Sequence, residues 1–150
     1  MSQIERKLES LGIVLSNPPA PAGSYIPVCR SGNLLFVSGQ IPMCNGKVEY
    51  TGRVSESNME EAQKSARLCA INILAQIKKV TPLDEISRIV RLSGFVNAEP
   101  GFTRYPQVIN AASDLLYEIF GEKGRHSRIA VGVAGLPFDS MTEIDAVVEA

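Results

Sequence analysis

The sequence has few of the residues on which metal sites, disulfide scaffolds and aromatic recognition surfaces depend. Its 150 residues include one histidine, three cysteines and no tryptophan, and only 6% are aromatic. Cys29, Cys44 and Cys69 lack metal-like spacing, and their odd number indicates reduced thiols in a cytoplasmic protein. A single histidine supplies little to a metal centre, so we expect neither a metal nor another cofactor.

Charge and hydropathy argue against two further classes of partner. Fifteen Lys and Arg against sixteen Asp and Glu give a formal net charge of -1, which provides no general attraction for nucleic acid or anionic lipid. Basic residues do not alternate with aromatics in a stripe, which also argues against nucleic acid. No apolar run approaches the roughly 18 residues of a membrane span, and the charged start of the chain does not resemble a secretory signal.

What is present fits one domain. With 45% hydrophobic and 21% charged residues, a chain of this length can bury a substantial core. We predict a single domain over residues 1–150, in which residues 1–22 form an N-terminal helix and a proline-rich connector. Apolar residues at helical spacing predict the helix within Ser2–Leu11, and three prolines in Asn17–Gly23 prevent either a helix or a central strand.

Hydrophobic periodicity predicts two long helices and several strands in the remainder. Apolar residues at intervals of three and four predict the helices, the first with Ser57 or Asn58 as N-cap. Short apolar runs separated by turn residues predict the strands, beginning with an antiparallel meander after Val28. The helices are predicted over Asn58–Val80 and about Phe102–Phe120, and the strands over Leu34–Val37, Lys47–Tyr50, Ile86–Asn97, Ile129–Ala134 and Thr142–Val148. Two helices that each bury one face must share a mixed sheet, so we predict a two-layer α+β sandwich with both helices on one face.

A small polar segment interrupts the first apolar strand. Ser38-Gly39-Gln40 falls where the strand should continue into Ile41-Pro42. A hydroxyl followed by glycine allows a ligand or another strand to approach the backbone closely. A β-bulge explains the same pattern, and the sequence leaves both interpretations open.

Two charged residues near the end of the chain are candidates for chemistry. Arg128 precedes the run Ile129–Ala134, where a guanidinium can hold a carboxylate through two parallel hydrogen bonds; a solvated arginine at a strand end is the alternative. Glu143 begins the last strand and can orient or deprotonate a water, or form half of a surface ion pair. If the last two strands form a hairpin about Leu136–Asp139, these two side chains become near neighbours.

Other polar residues carry weaker signals. His126 is expected at the surface or at a helix end, because no pattern of serine or cysteine supports a catalytic role for it. Cys69 falls on an apolar helix stripe and is expected in the core, whereas Cys29 and Cys44 are not assigned.

At these residues the chain resembles the reactive-intermediate deaminase family, the RidA or YjgF-like proteins, also named endoribonuclease L-PSP. The similarity spans about Tyr25 to Val148 and rests on Ser38–Pro42, Asn110, Arg128, Leu136-Pro137 and Glu143–Ala146. It implies a chorismate-mutase-like α+β fold, assembled as a homotrimer with three clefts between subunits. It also implies hydrolysis of enamines and imines, such as 2-aminoacrylate and 2-iminobutyrate, to 2-oxoacids and ammonium, without a cofactor.

The resemblance also implies roles for individual residues. Arg128 would clamp the carboxylate of a small-molecule substrate, and Glu143 would position the attacking water. The positions that would line the cleft are Tyr25, Ser38, Gly39 and Asn110. Positioning a carboxylate and one water in a dry cleft is the main contribution that this chemistry asks of a protein.

The sequence departs from the better-known pattern of this family near the clamp. Ala130 stands where many members carry cysteine, and Ser113 stands where an aromatic residue is common. These changes leave the clamp in place but alter the cleft, so a non-enzymatic protein that binds small carboxylates is the alternative hypothesis. RNA cleavage or translation inhibition is a third, which the charge balance disfavours. The deaminase hypothesis depends on Arg128 at a subunit interface with the Glu143 carboxylate nearby. If these two side chains lie far apart, or if the groove has no room for a small organic acid, only the α+β scaffold is left.

Overall fold

The structure is a computed structural model that describes residues 1–18 and 20–150. Its helices are α1 (Gln3–Ser10), α2 (Met59–Lys78) and α3 (Tyr105–Phe120). Its strands are β1 (Val28–Ser31), β2 (Leu34–Gln40), β3 (Met43–Cys44), β4 (Lys47–Val48), β5 (Arg88–Asn97), β6 (Ser127–Val133) and β7 (Thr142–Glu149). None of the described helices combines the length and the apolar character that crossing a bilayer requires.

The main sheet has five strands in the order β1-β2-β7-β5-β6. Its pairs are antiparallel except β5–β6, which is parallel because α3 provides the crossover connection between these two strands. Strands β3 and β4 form a separate hairpin about Asn45-Gly46, where both residues have positive φ. The predicted meander is therefore only partly right. Pro42, which has no N–H to donate, follows the point where β2 ends.

Helices α2 and α3 cover one face of this sheet, as predicted for a two-layer α+β fold. Alternate residues of the central strand β7 point toward the helices, and Thr142 shares a 2.6 Å hydrogen bond with Ser65 of α2. Gly94 of β5 faces Ile109 of α3, and a Cβ at Gly94 would lie 2.7 Å from that side chain. The fully buried core between the layers includes Leu35, Ile73, Leu74, Leu92, Leu116 and Ile144.

The N-terminal helix packs on this helix layer and lies within the range predicted for it. Ser2 and Glu5 form a capping box at its start, and the Asp84 carboxylate accepts hydrogen bonds from the backbone N–H of Gln3 and Ile4. Leu8 buries its apolar side in the core. These contacts hold α1 against the loop that follows α2.

The connector after α1 has no regular structure over its described residues, and Pro19 lies outside them. Lys79, just after α2, donates a 3.2 Å hydrogen bond from its Nζ to the carbonyl oxygen of Pro18. The connector is thereby attached to the end of α2, which matters for the cavity described below.

The start of α2 differs in detail from the prediction. Asn58 is its N-cap, but the side chain makes no capping bond to the helix. Instead Ser55 and Asn58 form a capping box around the short 3-10 turn Glu56–Asn58 that leads into α2.

The last two strands do not form the predicted hairpin. Strand β6 pairs only with β5 along its described length, and β7 lies on the other side of β5. The segment Leu136–Asp139 therefore connects two strands that do not pair. The crossover through α3 places β6 at the edge of the sheet, and β7 then returns to a central position that two consecutive apolar runs cannot reveal.

Candidate functional site

A β-bulge brings Glu143 against the polar segment of β2. The register between β2 and β7 shifts between Val37 and Gln40, so the backbone at Ser38-Gly39 leaves the regular ladder. A Cβ at Gly39 would lie 2.5 Å from Oε2 of Glu143, which means that only glycine allows this carboxylate its position. The sequence left two interpretations of Ser38-Gly39 open, a β-bulge and a close approach to the backbone. Both are present at the same place, because the bulge is where the Glu143 side chain approaches Gly39.

This bulge lies in the wall of a cavity of about 340 Å³. Four of the predicted site residues line it, and we call them the carboxylate half-site: Tyr25, Ser38, Gly39 and Glu143. The other walls come from the connector, from α2 and from the loop after β6. Glu143 is the one charged residue among the described residues that line the cavity.

The Glu143 carboxylate is half-buried and has no cationic partner. Among the described residues no lysine or arginine forms an ion pair with it, so it is not half of a surface salt bridge. Burial raises the pKa of Glu143 above its ordinary value, and the negative charge of Asp145 raises it further. A carboxyl group with a raised pKa that faces a cavity is suited to accept and return a proton.

The rim of the cavity includes an aromatic side chain that the sequence did not suggest. Phe138 is 74% exposed, and its φ of +56° places it in the left-handed region, as does the φ of +57° at Asp139. Asn97 donates from Nδ2 to Oδ1 of Asp139 at 3.1 Å, which helps to hold this conformation. Positive φ at a bulky residue is costly, and such positions concentrate at functional sites.

The second part of the candidate site is a hydrogen-bonded group around Arg128 at the sheet edge. The guanidinium donates to Oγ of Ser113 at 3.0 Å and to the carbonyl oxygen of Pro106 at 3.2 Å, both on α3. Asn110 lies one helical turn before Ser113 on α3, with its side chain exposed. Arg128 is therefore a half-buried, fixed side chain rather than a solvated strand end. We call Asn110, Ser113, His126 and Arg128 the guanidinium half-site.

The direction of each hydrogen bond in this group follows from its donors and acceptors. Nδ1 of His126 lies 2.7 Å from the carbonyl oxygen of Gly124, which can only accept, so Nδ1 carries a proton. In the neutral ring Nε2 is then an acceptor, and it receives the Ser113 hydroxyl at 2.9 Å. The oxygen of Ser113 keeps its lone pairs for Arg128. His126, expected at the surface or at a helix end, lies just after the 3-10 turn Gly121–Gly124 and orients the hydroxyl that holds the guanidinium.

The environment of His126 favours the neutral ring. Burial lowers its pKa below the ordinary value; the carbonyl of Gly124 opposes this, and the positive charge of Arg128 adds to it. Protonation would turn Nε2 into a donor and put two positive groups on one hydroxyl. The sequence signal that could have found this role is the spacing of His126 and Arg128, which places both side chains on one side of β6.

Within one chain the two half-sites are apart, which corrects the prediction that Arg128 and Glu143 are neighbours. Arg128 is in register with Leu92 and faces α3, whereas Glu143 is in register with Phe95 and faces away from the helices. Two inter-strand steps and three residues along the sheet separate their Cα atoms by about 14 Å. One chain alone therefore does not bring the Arg128 guanidinium and the Glu143 carboxylate to a single ligand.

The remaining candidate residues do not extend either half-site. Cys69 is fully buried beside Thr142, as predicted, and burial raises the pKa of its thiol to about 12. Cys29 is exposed and Cys44 is partly buried. Among residues 1–18 and 20–150 no group of three His, Cys, Asp or Glu side chains is arranged to hold a metal ion.

A mixed sheet with two helices on one face defines a two-layer α+β protein. Residues 5–149 match the family described as "YjgF/chorismate mutase-like, putative endoribonuclease". The chain belongs to this YjgF/RidA family.

Several known proteins are similar over nearly the whole chain. Protein TCP17 of Trypanosoma cruzi is 43% identical over 98% of this chain and 94% of its own length. The crystal structure of Atu1372 from Agrobacterium tumefaciens, described as of unknown function, is 48% identical with a TM-score of 0.90, over 97% of this chain and 91% of that one. A crystal structure from Shewanella oneidensis described as "a putative endoribonuclease" is 34% identical with a TM-score of 0.94, over 99% of this chain and 100% of that one.

A more distant relative has an enzymatic name. A protein of the mite Dermatophagoides farinae named 2-iminobutanoate/2-iminopropanoate deaminase is 28% identical over 90% of this chain and 94% of its own length.

Proposed function

We propose that this protein is a deaminase of small 2-imino and 2-enamino acids that acts in clefts between the subunits of a homotrimer. The observation that carries the proposal is the division of the site. The edge strand of the chain's sheet holds a fixed guanidinium, which does not line the cavity, and the cavity holds a carboxylate with no cation among its described residues. A neighbouring copy that presents its guanidinium half-site to this carboxylate half-site supplies what each lacks.

The uncovered face of the sheet supports assembly with further copies. Helices cover one face only, and the opposite face carries a row of apolar side chains, of which Phe36 and Ile129 are each 44% exposed. The others on this face are Leu34, Phe95, Val131 and Val147. An exposed apolar face of this extent is typical of an interface, and a closed ring of identical copies is the usual way to bury it.

The proposed reaction needs a clamp and one positioned water. An enamine such as 2-aminoacrylate tautomerises to the imine, whose C2 is electrophilic. Arg128 holds the substrate carboxylate, and Glu143 accepts a proton as water adds to C2. Return of that proton to nitrogen gives a carbinolamine. Its hydroxyl proton then passes to nitrogen through Glu143 as the C–N bond breaks and the C=O bond forms, so that ammonia leaves and the 2-oxoacid remains. Every atom comes from substrate and water, so the protein contributes position and charge.

One comparison supports this proposal, and the charges of the chain disfavour the endoribonuclease name that the family description and the Shewanella structure carry. The mite relative is named for imine hydrolysis. The near-zero net charge of this chain and the absence of any cation among the described residues of the cavity do not suit a polyanionic substrate.

The direct test measures ammonia and 2-oxoacid release from freshly generated 2-aminoacrylate, with light scattering on the same preparation. We expect turnover above the spontaneous rate and a mass three times that of one chain. Calorimetry with 2-oxoacids in parallel separates the alternative of a non-enzymatic binding protein, for which a carboxylate would bind without turnover. A monomer without turnover would contradict the proposal.

A further inference from the structure

We infer that the end of the cavity remote from Glu143 is a subsite for the substrate's side chain, and that it takes side chains ending in a neutral hydrogen-bond donor, such as a carboxamide or a hydroxyl. This inference rests on the proposed function, because Glu143 then marks the end of the cavity where C2 of the substrate lies. The same cavity is also lined by two amide side chains of α2, Asn72 and Gln76. Helix α2 packs on the face of the sheet opposite to Glu143, which places these amides away from the carboxylate.

The size of the cavity exceeds what a three-carbon imino acid requires. A volume of about 340 Å³ lies in the range of pockets that hold ligands with many more atoms. Its lining is largely apolar and includes Pro18, Pro21 and Met43. Such walls suit the methylene groups of a longer side chain.

The orientation of the Asn72 amide is fixed by its neighbours. Nδ2 donates to the carbonyl oxygens of Ile41 and Met43 at 3.0 and 2.9 Å. Carbonyl oxygens only accept hydrogen bonds, so the nitrogen must face them and Oδ1 must point away.

The orientation of Gln76 follows in the same way through Gln40. Nε2 of Gln40 donates to the carbonyl oxygen of Ser38 at 3.0 Å, which makes Oε1 of Gln40 an acceptor. Gln76 lies 3.3 Å from that oxygen and must donate to it from Nε2. Oε1 of Gln76 is therefore the side-chain atom that this pairing leaves without a hydrogen bond.

Two acceptor oxygens thus remain without a donor in the described part of the chain. Asn72 is 5% exposed and Gln76 is 4% exposed, and no hydrogen bond among residues 1–18 and 20–150 reaches either side-chain oxygen. Every fully inaccessible side-chain nitrogen or oxygen in those residues has a hydrogen-bond partner. Because these two oxygens have none, each must retain some accessible surface. Both residues line the cavity. Nearly buried acceptors favour a ligand that brings a donor.

Charge narrows the class of side chain further. No cation lines the cavity among its described residues, and Glu143 supplies a negative charge. An acidic side chain would therefore enter against two oxygen acceptors and a carboxylate without compensation. Side chains that end in a donor without negative charge fit, and glutamate-like ones do not.

The test uses three imines of matched size, generated from glutamine, glutamate and methionine by an amino acid oxidase, with the alanine-derived imine as a short reference. We expect kcat/KM for the glutamine imine to exceed those for the glutamate and methionine imines by about tenfold or more. Equal values for the three in the wild-type protein would overturn the inference, and this comparison needs no variant.

A pair of matched variants locates the effect. Gln76→Met removes one of the two acceptors with little change in size. The advantage of the glutamine imine over the methionine imine should therefore fall at least threefold, with each rate taken relative to the alanine imine in the same variant. Gln63→Met is the control, because Gln63 is also on α2 but donates to the carbonyl of Gln107 outside the cavity. An unchanged advantage in folded Gln76→Met would contradict the assignment of Gln76.

The outcomes separate this inference from the proposed function. Turnover of the alanine imine without discrimination among the three larger imines removes the subsite and leaves the deaminase. If no imine is turned over, the proposed function fails, and calorimetry with the amino acids themselves decides the subsite. Tighter binding of glutamine than of glutamate or methionine then supports it, and equal binding removes it.

Discussion

The two half-sites hold their charges by different means. The Arg128 guanidinium is fixed by two hydrogen bonds to α3, one of them to Ser113, which His126 orients in turn. The Glu143 carboxylate has no such partner and is positioned by packing against Gly39 at the wall of a cavity. A group that clamps a substrate anion gains from rigidity, whereas a group that moves a proton must be free of a permanent cation and have a pKa closer to neutrality.

This comparison predicts the largest loss for the clamp. Arg128→Ala should lower kcat/KM for 2-aminoacrylate about a hundredfold or more, because a desolvated carboxylate loses its only positive partner. Arg128→Lys should not restore the rate, since an ammonium cannot form two parallel hydrogen bonds. Arg125→Ala is the control, because Arg125 is exposed and pairs weakly with Glu122 at 3.8 Å. Wild-type kinetics in Arg128→Ala would exclude the clamp.

Substitution of Glu143 in the carboxylate half-site should lower kcat and leave KM nearly unchanged. Glu143→Gln is expected to lower kcat about a hundredfold with little change in KM, because the amide cannot accept a proton. In the wild type, kcat should fall as the pH drops through the raised pKa of Glu143, where the carboxylate becomes protonated. Asp145→Asn removes a negative charge that raises this pKa, so the acidic limb should move to lower pH. If the acidic limb of the kcat profile does not move in Asp145→Asn, the limb reports the titration of a group other than Glu143.

The close approach at the bulge gives a third test. In Gly39→Ala the new methyl group would lie 2.5 Å from Oε2 of Glu143, so the carboxylate must move. We expect kcat to fall about tenfold with the fold preserved, since a small displacement of a catalytic group is costly. Gly135→Ala is the matched control, because a Cβ there meets no atom within 4 Å. Equal activity in the two variants would mean that the position of Glu143 does not matter.

A smaller effect is expected at the hydroxyl that holds the guanidinium. Ser113→Ala removes the acceptor of Arg128 and the donor to His126 together. We expect KM to rise about fivefold with a lesser change in kcat, because the clamp is present but less fixed. Ser127→Ala, which removes an exposed hydroxyl bonded to the carbonyl of Val90, provides the comparison. A change in kcat alone would contradict a role in holding the clamp.

The smallest effect concerns pH and the free energy of unfolding. The folded protein lowers the pKa of His126, so the unfolded chain binds a proton that the folded chain resists. This contribution to stability is present above the ordinary histidine pKa of about 6.5 and is lost as the pH falls below it toward the lowered value. Urea unfolding at pH 7.5 and 5.5 measures how much the free energy of unfolding falls between the two pH values. This decrease should be smaller in His126→Gln than in the wild type. An equal loss would show that His126 does not contribute.

Much of the fold could be predicted from the sequence because it depends on local periodicity. The stripe that predicts α2 and the β-branched run that predicts β5 are both read directly from neighbouring residues. The position of β7 could not be predicted this way. Its place between β2 and β5 depends on contacts with strands distant in sequence, and a hairpin with β6 satisfies the same local pattern.

In the candidate site too, the features that depend on local sequence could be predicted, and those that depend on contacts between distant elements could not. Arg128, Glu143, Ser38 and Gly39 were identified from residue type, spacing and family resemblance, and the last three residues do meet at one bulge. The role of His126 was missed because it depends on Ser113, which comes from another element. The expected contact between Arg128 and Glu143 was wrong within one chain, since it rested on the hairpin.

The most direct test of the divided site is complementation between two inactive variants. Arg128→Ala and Glu143→Gln are unfolded together in equal amounts, refolded and assayed for hydrolysis of 2-aminoacrylate. If each site takes its guanidinium from one subunit and its carboxylate from another, random assembly of closed rings restores one intact site for roughly every four formed. We therefore expect about a quarter of the wild-type rate from the mixture. A mixture no more active than the separate variants would contradict a site shared between subunits.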